Sequence, residues 1–293
     1  MTPRKIDAND TPTALAEAIA RVSDWNLPSP VQEPPSKIQL ITQAGAHQIY
    51  QAEVITDYGN QKVIIRLPLS HSGQTDPSTR MGLAFGMEVA NQQIAAEQML
   101  APDIFWSDPD HQLIVMAHAE KMHSVTEDHL SHCIRGIHGL PLEGERLNLA
   151  RSMERYHQLA IHRSISKGVL VDPLSSLMKE AIGRLGAEPA VGCHHDLNAT
   201  NLLRGKGPVA IDWEYAAPGD PYFDVAAACA GNPQLNSDNI ISSVLGGDYD
   251  PCLWHIAKGV YSAIDLNWRA AVGQKVTRDE SNNVTTYLSE VLR

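Results

Sequence analysis

The sequence is short of several things, and each shortage excludes something. Its four cysteines, Cys133, Cys193, Cys229 and Cys252, are widely spaced and form no C-x-x-C pair. That excludes a zinc knuckle and a dense disulfide framework, and fits a reducing compartment. No run of basic residues is long enough to neutralise a row of phosphates, and 23 Lys and Arg against 34 Asp and Glu leave a formal charge of −11. Nucleic acid is therefore not an expected partner. The acidic excess reads either as a solvated surface or as a field that welcomes a cationic substrate. No apolar run approaches the roughly 20 residues that cross a bilayer, and the opening MTPRKIDANDTPTALAEAIARV has neither an apolar core nor a small-residue cleavage site. The expectation is a cytoplasmic protein that does not enter a membrane. No internal repeat or long low-complexity tract is present.

What is present is globular composition, 43% apolar and 19% charged over 293 residues, enough for a large core or for two smaller parts. After a short helix in TPTALAEAIARV and a Pro-rich link, SPVQEPPS, three β-type runs follow: KIQLIT, HQIYQAEV and KVIIRLP. The joints QAGA and DYGN carry glycine, and the second reads as a hairpin turn. LSHSGQTDPSTRMG reads as a flexible insert, GMEVANQQIAAEQML as a helix ending before Pro102, and QLIVMAH as a buried strand.

Beyond 118 the helical period takes over. In DPLSSLMKEAIGRLG the apolar positions recur at i, i+3, i+4 and i+7, with Asp172 expected as cap, Pro173 in the first turn and Gly186 at the end. RLNLARSMERYHQLAIHR and CLWHIAKGVYSAIDLNWRAAV read the same way. The expected class is α+β: a small antiparallel-sheet part over 1–117, a hinge near 117–121, and a mostly helical part over 118–293.

The polar chemistry is concentrated in CHHDLNATNLL, from Cys193, and in PVAIDWEYAAPGDPYFDVAAA, from Pro208. His194-x-Asp196 is followed by Asn201 in a D-x4-N spacing, and Asp212 ends a β-type run. Phosphoryl transfer needs such parts: a carboxylate to orient the attacking hydroxyl, here Asp196, and oxygen ligands to hold magnesium, here Asn201 and Asp212. The paired His194 and His195 raise a zinc reading, but adjacent side chains diverge and no H-x-x-x-H or C-x-x-C completes a tetrahedral site. The HD pair also raises a metal-dependent phosphohydrolase. Asp220 and Asp224 read as loop-fixing or capping groups. Glu214 either supports the metal loop or faces a cationic substrate.

The H-x-D-x4-N run together with IDWEYAAPGDPYFDVA resembles the catalytic and metal loops of the aminoglycoside phosphotransferase and choline kinase superfamily, enzymes with a two-lobed protein-kinase-like fold; IDWEY is similar to bacterial choline and thiamine kinases. The resemblance extends to KVIIRLP and GMEVAN and covers roughly residues 37 to 230. It implies ATP and Mg2+ as cofactors, Arg66 as the cation facing the α and β phosphates, Glu88 as its carboxylate partner, and His194 as the residue supporting the loop of the catalytic Asp196. It places Gly45 and Ala46 at the phosphate-covering turn, and adenine against backbone at Ala117 and Ala119. QAGAHQIY departs from the family in carrying only Gly45 where more glycine is usual. The implied function is phosphate transfer to a hydroxyl of a small cationic acceptor, with an aminoglycoside kinase or a non-catalytic nucleotide-binding protein as alternatives, in a monomer or homodimer.

The acceptor is expected in the helical part. Tyr261, Asp265 and Trp268 fall at i, i+4 and i+7 on one helical face, and aromatic rings beside a carboxylate suit a quaternary ammonium or thiazolium. Packing into the core is the competing account, and it is the preferred one for Trp254.

Overall fold

The computed structural model describes residues 4–5, 12–44, 47–68, 84–163, 165 and 167–293. Gly45, Ala46 and the whole of the expected flexible insert lie outside them. The chain forms two compact units, Met1–Met122 with Leu203–Glu214, and His123–Leu202 with Tyr215–Arg293.

The first unit contains β1 (Arg4–Lys5), α1 (Thr13–Ala20), β2 (Val31–Ala44), β3 (His47–Thr56), β4 (Gly59–Pro68), α2 (Phe85–Glu97), β5 (Ile104–Asp108), β6 (Leu113–Ala117) and β7 (Glu120–Lys121). Six of the strands make an antiparallel sheet in the order β1-β2-β3-β4-β6-β5. The β3–β4 hairpin turns at Asp57-Tyr58, with Gly59 at φ 104, a conformation that side chains resist.

Strand parity decides what each face carries. Tyr50, Ala52 and Val54 of β3 join Val63, Ile65 and Leu67 of β4 and Leu15 and Ala18 of α1 in one buried cluster. The alternate positions of β4 face the other way, where Ile64 packs with Phe85 and Val89 of α2 and with Ile114 and Met116. Each large aliphatic buried on either face contributes about 1.5–3 kcal/mol. Arg66 has the parity of Ile64, so the same alternation that builds the core delivers a guanidinium to the α2 face.

The Pro-rich stretch is not a link. From Val31 on it lies inside β2, whose pairing with β3 shifts register between Val31 and Glu33, between Glu33 and Ser36, and between Ser36 and Gln39. Prolines lack the N–H that a regular ladder needs, and the irregularities, on a length of strand whose other side, among the described residues, pairs β1 only at Gln39 and Leu40, accommodate Pro34 and Pro35.

The chain continues through α3 (Glu127–His138), α4 (Leu149–His162), α5 (Ser176–Leu185) and β8 (Val191–Cys193) of the second unit. It then returns to the first with β9 (Leu202–Arg204) and β10 (Pro208–Ala210). These strands form a small sheet, β10-β9-β7; Arg204 is ion-paired with Glu120, and the Ala210 N–H donates to the Leu100 carbonyl at 2.7 Å. Residues 203–214 thus group with the sheet unit, whereas a division at 117 assigns them to the helical part. The rest is a 3-10 turn (Trp213–Tyr215), β11 (Ala217–Gly219), α6 (Pro221–Ala230), α7 (Ser237–Leu245), α8 (Pro251–Ala271) and α9 (Arg278–Val291). Among the described residues no helix is long and apolar enough to cross a membrane.

Helix α5 begins later than the Asp-Pro pair predicts. Its cap is Ser175, whose hydroxyl accepts from Met178 N–H, while Asp172 caps the preceding turn by accepting from Leu174 N–H at 2.9 Å. Leu174, expected on the apolar stripe, is 59% exposed.

In the second unit β8 pairs with β11, Gly192 opposite Pro218. A Cβ at 192 would lie 2.5 Å from the Ile137 carbonyl and 2.7 Å from that of Leu140, both rigid backbone. Gly192→Ala is expected to cost about 1–3 kcal/mol through overpacking, read as a lowered thermal midpoint; an unchanged midpoint would show that α3 yields there.

Candidate active site

The loop 194–201 follows β8 in the second unit, and asparagines organise it. Asn201 Nδ2 donates to Asp196 Oδ2 at 3.0 Å and to the Asp196 carbonyl at 2.9 Å. Asn198 Nδ2 donates to Asp196 Oδ1 at 3.2 Å. Each carboxylate oxygen of Asp196 is therefore met by a different amide, which fixes its plane. Asn198 Oδ1 accepts from the N–H groups of Thr200 and Asn201, at 2.9 and 3.2 Å, the turn that an Asn-x-Thr sequence favours. The expected pair Asp196 and Asn201 is thus brought together, and Asn198 is a third member that the sequence reading missed. Its signal was the NAT tripeptide inside the D-x4-N spacing.

The flanks of the loop are braced from beneath. His194 is fully buried. His195 holds φ 63, in the left-handed region that side chains other than glycine rarely occupy. Its N–H donates to Asp224 Oδ1 at 2.7 Å, and its Nδ1 lies 2.9 Å from the Tyr215 carbonyl. Asp224, on α6, also bonds His138 of α3 through Oδ2 at 3.0 Å. Burial works to raise the Asp224 carboxyl; the His138 hydrogen bond and charge, with the bonds to His195, outweigh it and hold the group below its ordinary value. Asp220 caps α6, its Oδ1 accepting from Phe223 N–H at 2.8 Å. Both aspartates are loop-fixing or capping groups, and the partner His138 was not legible.

His138, Cys193 and Asp224 place ligand-type atoms within 4.8 Å of one another. Burial and the neighbouring aspartates push the Cys193 thiol well up, so the thiolate that a metal requires is disfavoured. This cluster is held by hydrogen bonds.

In the first unit Arg66 Nη2 lies 2.6 Å from Glu88 Oε1, with both side chains almost wholly buried, and Arg66 Nη1 lies 3.5 Å from Asp212 Oδ1. One guanidinium thus stands between two carboxylates. Asp212 has φ 69, in the left-handed region like His195. The 3-10 turn after it is anchored by the buried Trp213, whose Nε1 donates to the Ala210 carbonyl at 3.0 Å. Among the described residues Arg66 Nε is buried without a hydrogen-bond partner. Ala117 and the half-buried Ala119 lie at and just beyond the end of β6; the Ala117 N–H is taken by the Asp103 carbonyl at 2.8 Å. Glu214 is half-buried in the 3-10 turn.

The α8 face is only partly as expected. Tyr261 packs its ring 6.0 Å from that of Phe223, which stands 6.0 Å from the ring of His195. Burial, and then the negative charges of Asp265 and Asp196, raise the Tyr261 hydroxyl. Asp265, expected as a carboxylate facing a cation, accepts from Arg269 Nε at 2.9 Å, and Arg269 also reaches Glu280 at 3.0 Å. Four residues apart on a helix, that pair forms locally. Trp268 is half-buried, and Trp254 is core, 1% exposed with Lys258 over its ring.

The profile of the phosphotransferase enzyme family matches residues 55–249. A curated relative, the protein LicA homolog of Mycoplasma capricolum, is 24% identical over 119 residues, which are 40% of this chain and 48% of that protein. The match thus spans about half the length of that relative. Among solved structures, a choline/ethanolamine kinase family protein from Mesorhizobium loti superposes with a TM-score of 0.63 at 16% identity, covering 95% of this chain and 94% of the other. LicA in complex with AMP superposes with a TM-score of 0.64 at 14% identity, covering 96% and 100%. These likenesses establish a shared fold.

Proposed function

The chain belongs to the phosphotransferase enzyme family, and from that premise we propose that it transfers the γ-phosphate of ATP to a hydroxyl of a small cationic acceptor of the choline, ethanolamine or thiamine kind. The observation that carries this reading is Asp196 held by two amides, Asn198 on Oδ1 and Asn201 on Oδ2. A carboxylate so oriented accepts the hydroxyl proton as the acceptor oxygen attacks phosphorus, a contribution of about 10² to 10⁴ in rate. The AMP bound by a relative of the same fold supports ATP as donor.

Arg66 is suited to phosphate because its Nε is a buried donor among the described residues without a partner, and its charge is fixed at every working pH. Two carboxylates share that single charge, so the cluster keeps a net negative charge that favours a divalent cation. The donor set fits magnesium. Asn201 commits its nitrogen to Asp196, leaving a carbonyl oxygen, and Asp212 supplies a carboxylate, both hard oxygen ligands. Magnesium, when bound, would neutralise charge on the phosphates.

The acceptor side is supported by Tyr261, whose ring belongs to a row with Phe223 and His195 and whose hydroxyl responds to the charges of Asp196 and Asp265. A cation against such a face gains about 2 kcal/mol when desolvated. The test is incubation with Mg-ATP and choline, ethanolamine, thiamine, amino sugars or aminoglycosides, with products detected by mass. Phosphorylated choline, ethanolamine or thiamine is the expected product. Products only from aminoglycosides would replace the acceptor class, and none from any acceptor would sink the kinase reading.

A further inference from the structure

Building on this phosphate-transfer reading, we propose that Gly231 and Asn232, the two residues that follow α6, are positioning residues for Asp196. Asn232 is 1% exposed. Its Nδ2 donates to the Ala228 carbonyl at 2.7 Å and to the Leu197 carbonyl at 3.0 Å. One amide thereby ties the end of the helix to the peptide group between Leu197 and Asn198.

Gly231 acts by what it lacks. Its backbone, φ −71 and ψ −9, is right-handed and open to any residue, and helix propensity favours alanine over glycine. The neighbour is what requires glycine. A Cβ at 231 would lie 2.7 Å from Asn198 Cβ and 3.0 Å from Asn198 Cα, so Asn198 rests against bare backbone. Asn198 is also the residue whose amide meets Asp196 Oδ1 and whose Oδ1 gathers the Thr200 and Asn201 N–H groups.

A methyl group at 231 pushes Asn198 outward and carries the hold on Asp196 with it. A misplacement of about 1 Å at a reacting group costs about 10²-fold in rate. Asp224, in the first turn of the same helix, holds the His195 N–H. A single helix thus fixes the chain on both sides of the catalytic aspartate, through Asp224 before it and Gly231-Asn232 after it.

The test uses Gly231→Ala and, because that variant adds atoms against the loop, Asn232→Ala, which removes the donor and adds no atoms. Gly183→Ala, where a Cβ meets nothing within 4 Å, is the control. Both test variants are expected to lose about 10²-fold in kcat with KM for ATP within about twofold of wild type, the pattern of an interaction realised in the transition state. Amide exchange at Thr200 and Asn201 is expected to quicken while the amides of α6 keep their protection. Wild-type kcat together with wild-type loop protection in both variants would overturn the proposal. A wild-type protein that phosphorylates nothing would instead sink the kinase reading, and exchange at Thr200 and Asn201 would still decide whether Gly231 and Asn232 hold the loop.

Discussion

Asp196→Ala is expected to lose about 10² to 10⁴ in the rate of phosphate transfer while binding ATP with nearly wild-type affinity. The residues proposed to meet the phosphates, Arg66 above all, are elsewhere in the chain and keep their own partners, Glu88 and Asp212. What the variant removes is the acceptor of two amide hydrogen bonds, from Asn198 and Asn201. Asn201 is buried, and although its amide keeps the backbone carbonyl of residue 196, the bond to the carboxylate is lost, at a cost of about 1–3 kcal/mol of stability, so a thermal scan must accompany the kinetics. Asp196→Asn separates the two effects. It keeps the shape and one oxygen acceptor but cannot take a proton at neutral pH, so transfer should fall as far as in the alanine variant with less loss of stability. Single-turnover transfer and calorimetric ATP binding are the measurements. Full turnover by either variant would remove Asp196 from the chemistry.

Much of this arrangement was legible because local periodicity and short spacing carry it. The β-type runs HQIYQAEV and KVIIRLP predicted β3 and β4, the second of which carries Arg66. The D-x4-N spacing predicted that Asn201 and Asp196 share a loop, which they do. Contacts made across long separations left no trace in the sequence. Asp224 read as loop-fixing, yet its partner His138 is 86 residues away on another helix. Gly231 read as nothing at all, because its importance lies in the atoms of Asn198 opposite it. Errors arose where tertiary pairing overrides local preference: β2 runs through Pro34 and Pro35 by shifting register. They also arose where two local signals compete, as when Ser175 caps α5 in place of Asp172. On α8 the helical period placed Tyr261, Asp265 and Trp268 on one face, and the same period sets Arg269 against Asp265, four residues on.

The second large effect is expected at the Arg66–Glu88 pair, and it separates a structural role from a phosphate-binding one. Both side chains are buried at 2.6 Å separation. Arg66→Met leaves the Glu88 carboxylate without its cation on the α2 face, and breaking a buried pair from one side costs about 3–5 kcal/mol. The loss should appear as a lowered thermal midpoint, and as weakened ATP binding if Arg66 meets phosphate. Arg66→Met with Glu88→Leu removes both charges and offers apolar volume to Phe85, Val89, Ile114 and Met116, the neighbours already packed there. Replacing a buried pair by apolar groups is often neutral or better, so the double variant should regain most of the lost midpoint. ATP affinity should not return with it, because the fixed positive charge is still missing. Should the double variant bind ATP as wild type does, Arg66 would be a packing element of the sheet unit, and the phosphates would have to be held by other residues.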